Sequence, residues 1–213
     1  MLKNQDYELL LHEIKNAVCV ISCSLQLIER SHPEVLDYAF WQDTSSDLTS
    51  LRTLLIDVAN TQLCSHPKME IVYIPDFLQE VKSACPAAST SGHPLIIDIE
   101  DGLLEGYFDP ARVQNALLKL LDNAFDALYE DGIVLLRAYS QDNGIVFQVK
   151  DNGHGIAKDA LPQIFQPFFS SKSGKNGLGL PLSKAIAEGH GGTLSIESEL
   201  AKGTTITIFL PSN

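Results

Sequence analysis

The sequence predicts an α+β protein: a long antiparallel helical hairpin over residues 1–66, completed as a four-helix bundle on dimerisation, followed by an α/β sandwich over residues 67–213. Two observations carry this expectation. Apolar side chains recur at helical spacing as far as Val58, and beyond Pro67 short strand-length apolar runs alternate with three helical patterns.

In the first part, Leu10, Ile14, Ala17, Val18, Ile21, Leu25 and Ile28 draw one apolar stripe along a helix over residues 6–30. Ser31-His32-Pro33 interrupts it. Tyr38, Trp41, Leu48, Leu51, Leu55 and Val58 then mark a second helix ending near Cys64. Two such helices joined by a short turn cover only part of each other's stripe, so a second copy is expected to complete the core. Pro67 disfavours helix at His66 and marks the boundary. After it the pattern predicts a strand over 70–74, a helix over 75–84, a loose loop over 87–92, a strand over 95–99 and a short one near Tyr107. A helix over 110–129 follows, then strands over 133–139 and 145–150 as a hairpin around Asp142-Asn143-Gly144. The last elements are a helix over 180–188, opened by Pro181 and closed by Gly189, Gly191 and Gly192, and strands over 193–198 and 204–210.

The formal charge of -12 argues against nucleic acid and anionic membrane surfaces as partners, because both must be met with a basic face. No run of about twenty apolar residues and no charged-then-apolar N-terminal segment is present, which predicts a soluble, cytoplasmic protein. Cys19, Cys23, Cys64 and Cys85 form no Cys-x-x-Cys pair. We read them as reduced, packed and inert, with a metal or redox site as the alternative.

Several short segments carry chemistry. Gly177-Leu178-Gly179-Leu180 brings unshielded backbone N–H groups to a helix N-terminus, where orphan donors and the helix dipole favour phosphate; an ordinary tight turn is the alternative. Asp151 closes a strand and enters Asp-Asn-Gly-His-Gly, whose Gly153 and Gly155 permit left-handed backbone and close approach of a flat ligand. A carboxylate there can accept from an exocyclic amine, or the segment can be a loop with Asx-turn chemistry. Asn123 lies on the stripe of Ala116, Leu120 and Ala127, and a partly buried amide needs a partner: a magnesium ion held mainly by phosphates and water, or a neighbouring loop. His12, between Leu10 and Ile14, falls off the apolar stripe and is expected to be exposed. His32, His66, His93 and His190 read as surface or loop residues.

In this order the segments resemble the transmitter core of bacterial sensor histidine kinases. Residues 113–128 resemble the N box, 151–156 the G1 box, Ile164-Phe165-Gln166-Pro167-Phe168-Phe169-Ser170-Ser171-Lys172 the F box, and Gly177 to Leu180 the G2 box. His12-Glu13-Ile14-Lys15-Asn16 resembles the H box, with Ala17 where proline is usual. Lys119 stands where the N box often has asparagine, and Lys175 where a glycine is common. The resemblance implies a GHKL-type ATP-binding fold with adenine on Asp151, Mg2+ on Asn123, and phosphates against Gly177, Leu178, Gly179 and Leu180, with Lys172 and Lys175 adding charge. It also implies His12 as phosphoacceptor, Glu13 as holder of its second ring N–H, and Asn16 as a residue able to orient water for phosphatase chemistry. A homodimer and the receiver domain of a response regulator are the implied partners. Two other readings stay open: a different GHKL enzyme such as a serine kinase, and a non-catalytic phosphotransfer or scaffold dimer with a vestigial pocket.

Overall fold

The computed structural model describes residues 4–49, 51, 67–166, 169 and 177–212, apart from the side chains of residues 4–13 and 15. The chain's contacts divide it into two compact units, one helical with its described residues in 4–49 and 51, and one of α+β type within 67–212.

In the helical unit, α1 (Asn4–Ser31) is one uninterrupted helix. Ser22 and Ser24 do not break it because their hydroxyls donate back one turn, to the carbonyls of Val18 at 3.0 Å and Val20 at 2.9 Å. The break expected at Ser31-His32-Pro33 is a short 3-10 turn, Pro33–Asp37, with proline in its first positions. Residues 39–49 and 51 are again helical (α2). Trp41 Nε1 donates to Glu29 Oε1 at 2.9 Å and Gln42 Nε2 to the Leu36 carbonyl at 3.0 Å, so the start of α2 is tied back to α1 and to the turn. The continuation of the second helix towards Cys64, and His66 itself, lie outside the described residues.

The α+β unit begins with β1 (Glu70–Tyr73), α3 (Ile74–Ala84) and α4 (Pro86–Thr90). Helix α4 replaces the loop expected over 87–92. Proline at its first position and two alanines favour helix, and Thr90 Oγ1 bonds the Pro86 carbonyl at 3.0 Å, while Ala87 and Ala88 pack on the core. Then follow β2 (Leu95–Ile99), β3 (Glu105–Phe108), α5 (Pro110–Phe125), β4 (Val134–Gln141), β5 (Gly144–Asp151), α6 (Gly179–Gly189), β6 (Thr193–Glu199) and β7 (Gly203–Pro211).

β1 and β3 form a separate antiparallel ribbon. The main sheet runs β2-β4-β5-β7-β6, parallel between β2 and β4 and antiparallel elsewhere. Val134, Leu136 and Ala138 of β4 alternate inward, as do Ile206, Ile208 and Leu210 of β7, which gives the sheet one buried face for α3, α5 and α6. Phe77, Phe108 and Phe147 meet edge to face there, with ring centroids 5.2 to 5.9 Å apart. The β4–β5 hairpin closes through Asp142 (φ 45°) and Asn143 (φ 57°), both left-handed, as a two-residue turn of the primed kind demands.

Helix α5 starts where the sequence places it, with Asp109 as N-cap and Pro110 in its first positions, but it ends at Phe125, not near Tyr129. The cause is tertiary. Ala127 and Leu128 turn to tighter i→i−3 bonds, and the Ala127 carbonyl accepts instead from His154 N at 2.9 Å.

Candidate nucleotide-binding site

Asp151 is the last residue of β5 and is buried. Its Oδ1 accepts from Gly153 N at 2.9 Å, an Asx turn, and from Thr204 N at 3.2 Å on the adjacent strand β7. Two backbone donors thus fix the carboxylate's orientation. The loop that follows is clamped on both sides. A Cβ on Gly153 would collide with the Ala127 carbonyl, and Gly155, at φ +66°, lies so close to the Glu199 carbonyl that no side chain fits. Ala201 N bonds the His154 carbonyl at 2.8 Å and Ile156 N bonds Ser198 Oγ at 2.8 Å. The expected loop 151–155 is therefore a rigid bracket between the end of α5 and the β6–β7 turn, with its carboxylate anchored at one end.

Helix α6 begins at Gly179, after Gly177 in the left-handed region (φ 63°) and Leu178 as N-cap. Its first i→i−4 bond runs from Leu182 N to the Leu178 carbonyl, at 3.0 Å, so the amides before it have no partner along the helix. No acidic residue stands in this first turn, which leaves the positive end of the dipole unneutralised and suited to an anion. Asn123, half-buried on α5, faces the same turn: a Cβ built on Gly179 would lie 3.6 Å from Asn123 Nδ2 and 3.6 Å from Lys119 Cβ. A Cβ at position 179 would rest in ordinary van der Waals contact with both side chains, so the turn lies against Asn123 and Lys119. Asn123 and the Gly177–Leu180 turn, predicted separately, are thus one locus.

Magnesium chemistry fits these residues in a limited way. Asn123 can offer one amide oxygen beside a turn suited to phosphate, and no group of three His, Cys, Asp or Glu side chains able to hold a metal occurs among the described residues. An ion here would be carried chiefly by phosphate oxygens and water.

Three residues of the unit escaped the sequence reading. Lys119, one turn before Asn123 on the same face, lays its aliphatic stem against the glycine turn; its helical spacing from Asn123 is the signal that could have found it. Thr204 supplies a donor to Asp151 from 53 residues away. His190, expected as a surface or loop residue, follows the end of α6 but is buried: its Nε2 accepts from Asp109 N at 3.0 Å and its Nδ1 donates to the Ile186 carbonyl at 2.7 Å. Asp109 in turn receives Arg112 N at 3.1 Å, Lys68 N at 2.8 Å and Arg112 Nε at 3.2 Å. That network fastens the end of α6 to the start of α5, and Ser183 Oγ, donating to the Gly179 carbonyl at 2.9 Å and 3.3 Å from the Ala116 carbonyl, repeats the link mid-helix.

Position 12 lies in α1, but the side chains of His12 and Glu13 fall outside the described residues, as do Lys172 and Lys175. Asn16 is exposed on α1. Of the cysteines expected to be packed, Cys85 is buried, Cys19 and Cys23 are exposed and depart from that expectation, and Cys64 is outside the described residues. No helix among the described residues is long and apolar enough to cross a membrane.

Residues 108–213 match the family model described as histidine kinase-, DNA gyrase B-, and HSP90-like ATPase. Sensor histidine kinase ZraS of Escherichia coli (strain K12) is 41% identical over 113 residues, 53% of this chain and 24% of that protein. Sporulation kinase C of Bacillus subtilis (strain 168) is 29% identical over 209 residues, 94% of this chain and 47% of that protein. The crystal structure of full-length ShkA in complex with AMPPNP shares the fold, with a TM-score of 0.83 at 23% identity over 99% of this chain and 46% of that one. The chain thus spans between 24% and 47% of the length of these relatives. Its matched residues contain the Asp151 bracket, Asn123 and the α6 turn, and residues 108–213 thus form an ATP-binding domain of the histidine kinase-, DNA gyrase B-, and HSP90-like ATPase type.

Proposed function

We propose that the chain is an ATP-dependent protein-histidine kinase, with residues 1–66 as the dimerisation and phosphoacceptor hairpin and residues 67–213 as the catalytic domain. The observation that carries this is the convergence of an oriented buried carboxylate, a half-buried amide and an acid-free helix N-terminus in one unit. Asp151 would accept from the adenine amine while Gly153 and Gly155 allow the ring to approach. The first turn of α6, with Lys119, would hold phosphate oxygens, and Lys172 and Lys175 would add charge. Mg2+, held by Asn123, phosphates and water, would neutralise charge on the transferring group.

A neutral ring nitrogen of His12 attacks the γ-phosphorus. The N–P bond forms as the bond to the β-γ bridging oxygen breaks, and ADP leaves with that electron pair. Glu13 holds the second ring N–H and balances the positive charge that develops on the imidazole. An imidazole titrates near neutrality, so it needs little activation, and catalysis rests on positioning and charge. Asn16, one turn on, would orient water for the reverse, phosphatase reaction. Onward transfer to an aspartate of a response regulator receiver domain, a homodimeric bundle and a cytoplasmic location complete the reading. Ile14, Ile21 and Ile28 of α1 keep 37%, 50% and 40% of their surface exposed, an apolar row that a second copy would cover.

Incubation with γ-labelled ATP and Mg2+ tests it. The intact chain is expected to gain acid-labile, base-stable label, His12→Gln to bind ATP without gaining label, and Asp151→Asn to lose at least about tenfold in ATP affinity, the worth of a charged hydrogen bond. Acid-stable label, or label persisting on His12→Gln, rejects the assignment.

A further inference from the structure

The expectation of packed, inert sulfur fails at two positions in a specific way. Cys19 and Cys23 are both free and both exposed, and they stand one helical turn apart on the uninterrupted helix α1. At about 100° per residue, positions 12, 16, 19 and 23 fall within about 60° of one another. The row of Ile14, Val18, Ile21, Leu25 and Ile28 falls on the opposite side, and that is the side a bundle partner covers. A second copy covering that row would leave the two thiols on the far side of the helix.

We propose that Cys19 and Cys23 form a two-thiolate binding site for a soft monovalent metal cation of the Cu(I) class. Spacing decides among the chemistries open to the pair. Side chains one turn apart on a helix have Cβ atoms about 5–6 Å apart. A disulfide needs about 3.5–4.5 Å between Cβ atoms, so direct S–S bonding would require α1 to unwind. A metal ion bridging two sulfurs with bonds of roughly 2.3 Å spans up to about 4.6 Å between them, which the two χ1 torsions reach without moving the backbone. Thiolate donors select soft ions, and the described surroundings add no third His, Cys, Asp or Glu ligand that would favour a tetrahedral ion. Each thiol loses its proton on binding, and no electron is transferred. The site shares the helix face of positions 12 and 16, but the binding claim is independent of the kinase reading.

The test is an anaerobic titration of the reduced full chain with Cu(I) buffered by a competing chromophoric chelator, alongside Cys19→Ser, Cys23→Ser and a Cys64→Ser control. One ion per chain is expected for the intact chain and for the control, with thiolate-to-metal absorption in the near ultraviolet. Each of the other two variants is expected to bind at least about 100-fold more weakly, because loss of one sulfur removes the intramolecular second contact. Circular dichroism of each variant checks that α1 persists. Equal affinity of the single variants, or failure of the intact chain to compete with the chelator, overturns the proposal.

Discussion

At the scale of single residues, the most informative side chain outside the site is His190. Asp109 N–H can only donate, so His190 Nε2 must accept, and the ring is held as its Nδ1–H tautomer with that proton on the Ile186 carbonyl. His190→Ala leaves a buried amide without an acceptor, at a cost of about 1–3 kcal/mol, to be read as a lowered urea midpoint at unchanged slope. Because the bond joins α6 to α5, weaker ATP binding should accompany the loss of stability. Cys85 makes a separate, pH-dependent prediction. Burial pushes its thiol above the ordinary 9.0, with the Asp122 charge adding to the effect. The folded state thus favours the protonated thiol. Above pH 9.0 the unfolded chain gains from ionising and the folded one does not, so this contribution to stability is intact below pH 9.0 and falls as pH rises towards the folded value. Urea midpoints on either side of that pH should fall more steeply for the intact chain than for Cys85→Ala.

At the scale of elements, what could be read in the sequence is what local chemistry decides. Pro110 after Asp109 announces the start of α5, and Asp142-Asn143-Gly144 announces the β4–β5 turn, because capping and left-handed backbone depend on residues a few positions apart. The end of α5 could not be read this way, since it is set by His154 N taking the Ala127 carbonyl from 27 residues further on. Burial of His190 was equally hidden, its partner lying 81 residues away. In the site, Asp151, Asn123 and the glycine turn were legible one by one, but Lys119 and Thr204 were not, because their roles arise only when α5 and β7 meet those residues. Exposure of Cys19 and Cys23 was implicit in helical register, yet composition alone favoured packed sulfur. The cap gives the element-scale prediction. Asp109→Ala removes the N-cap bond to Arg112 N and the acceptor of Lys68 N together, and should cost about 2 kcal/mol or more in a denaturation series, above the usual cost of about 1 for a cap alone.

At the scale of the whole molecule, the two units are built on different sources of stability. The α+β unit closes its own core, with Phe77, Phe108, Phe147 and the aliphatic side chains of α5, β4 and β7 almost wholly buried. The helical unit does not: Ile21 and Ile28 keep 50% and 40% of their surface, and Val20, Leu27 and Phe40 keep 65%, 61% and 86%. Monomeric proteins rarely leave such an array uncovered, so the helical unit should depend on association and the α+β unit should not. Placing a charge in the row, as Ile21→Glu, would force a carboxylate against the partner helix without a counter-ion, and the unpaired charge disfavours the dimer while leaving the exposed monomer surface content. Sedimentation equilibrium should find the intact chain dimeric at micromolar concentration and Ile21→Glu monomeric. The helical signal at 222 nm should fall in the variant, whereas ATP affinity, a property of the second unit, should stay the same. A variant that remains dimeric, or loses nucleotide binding along with association, would mean that the two units do not divide their tasks in this way.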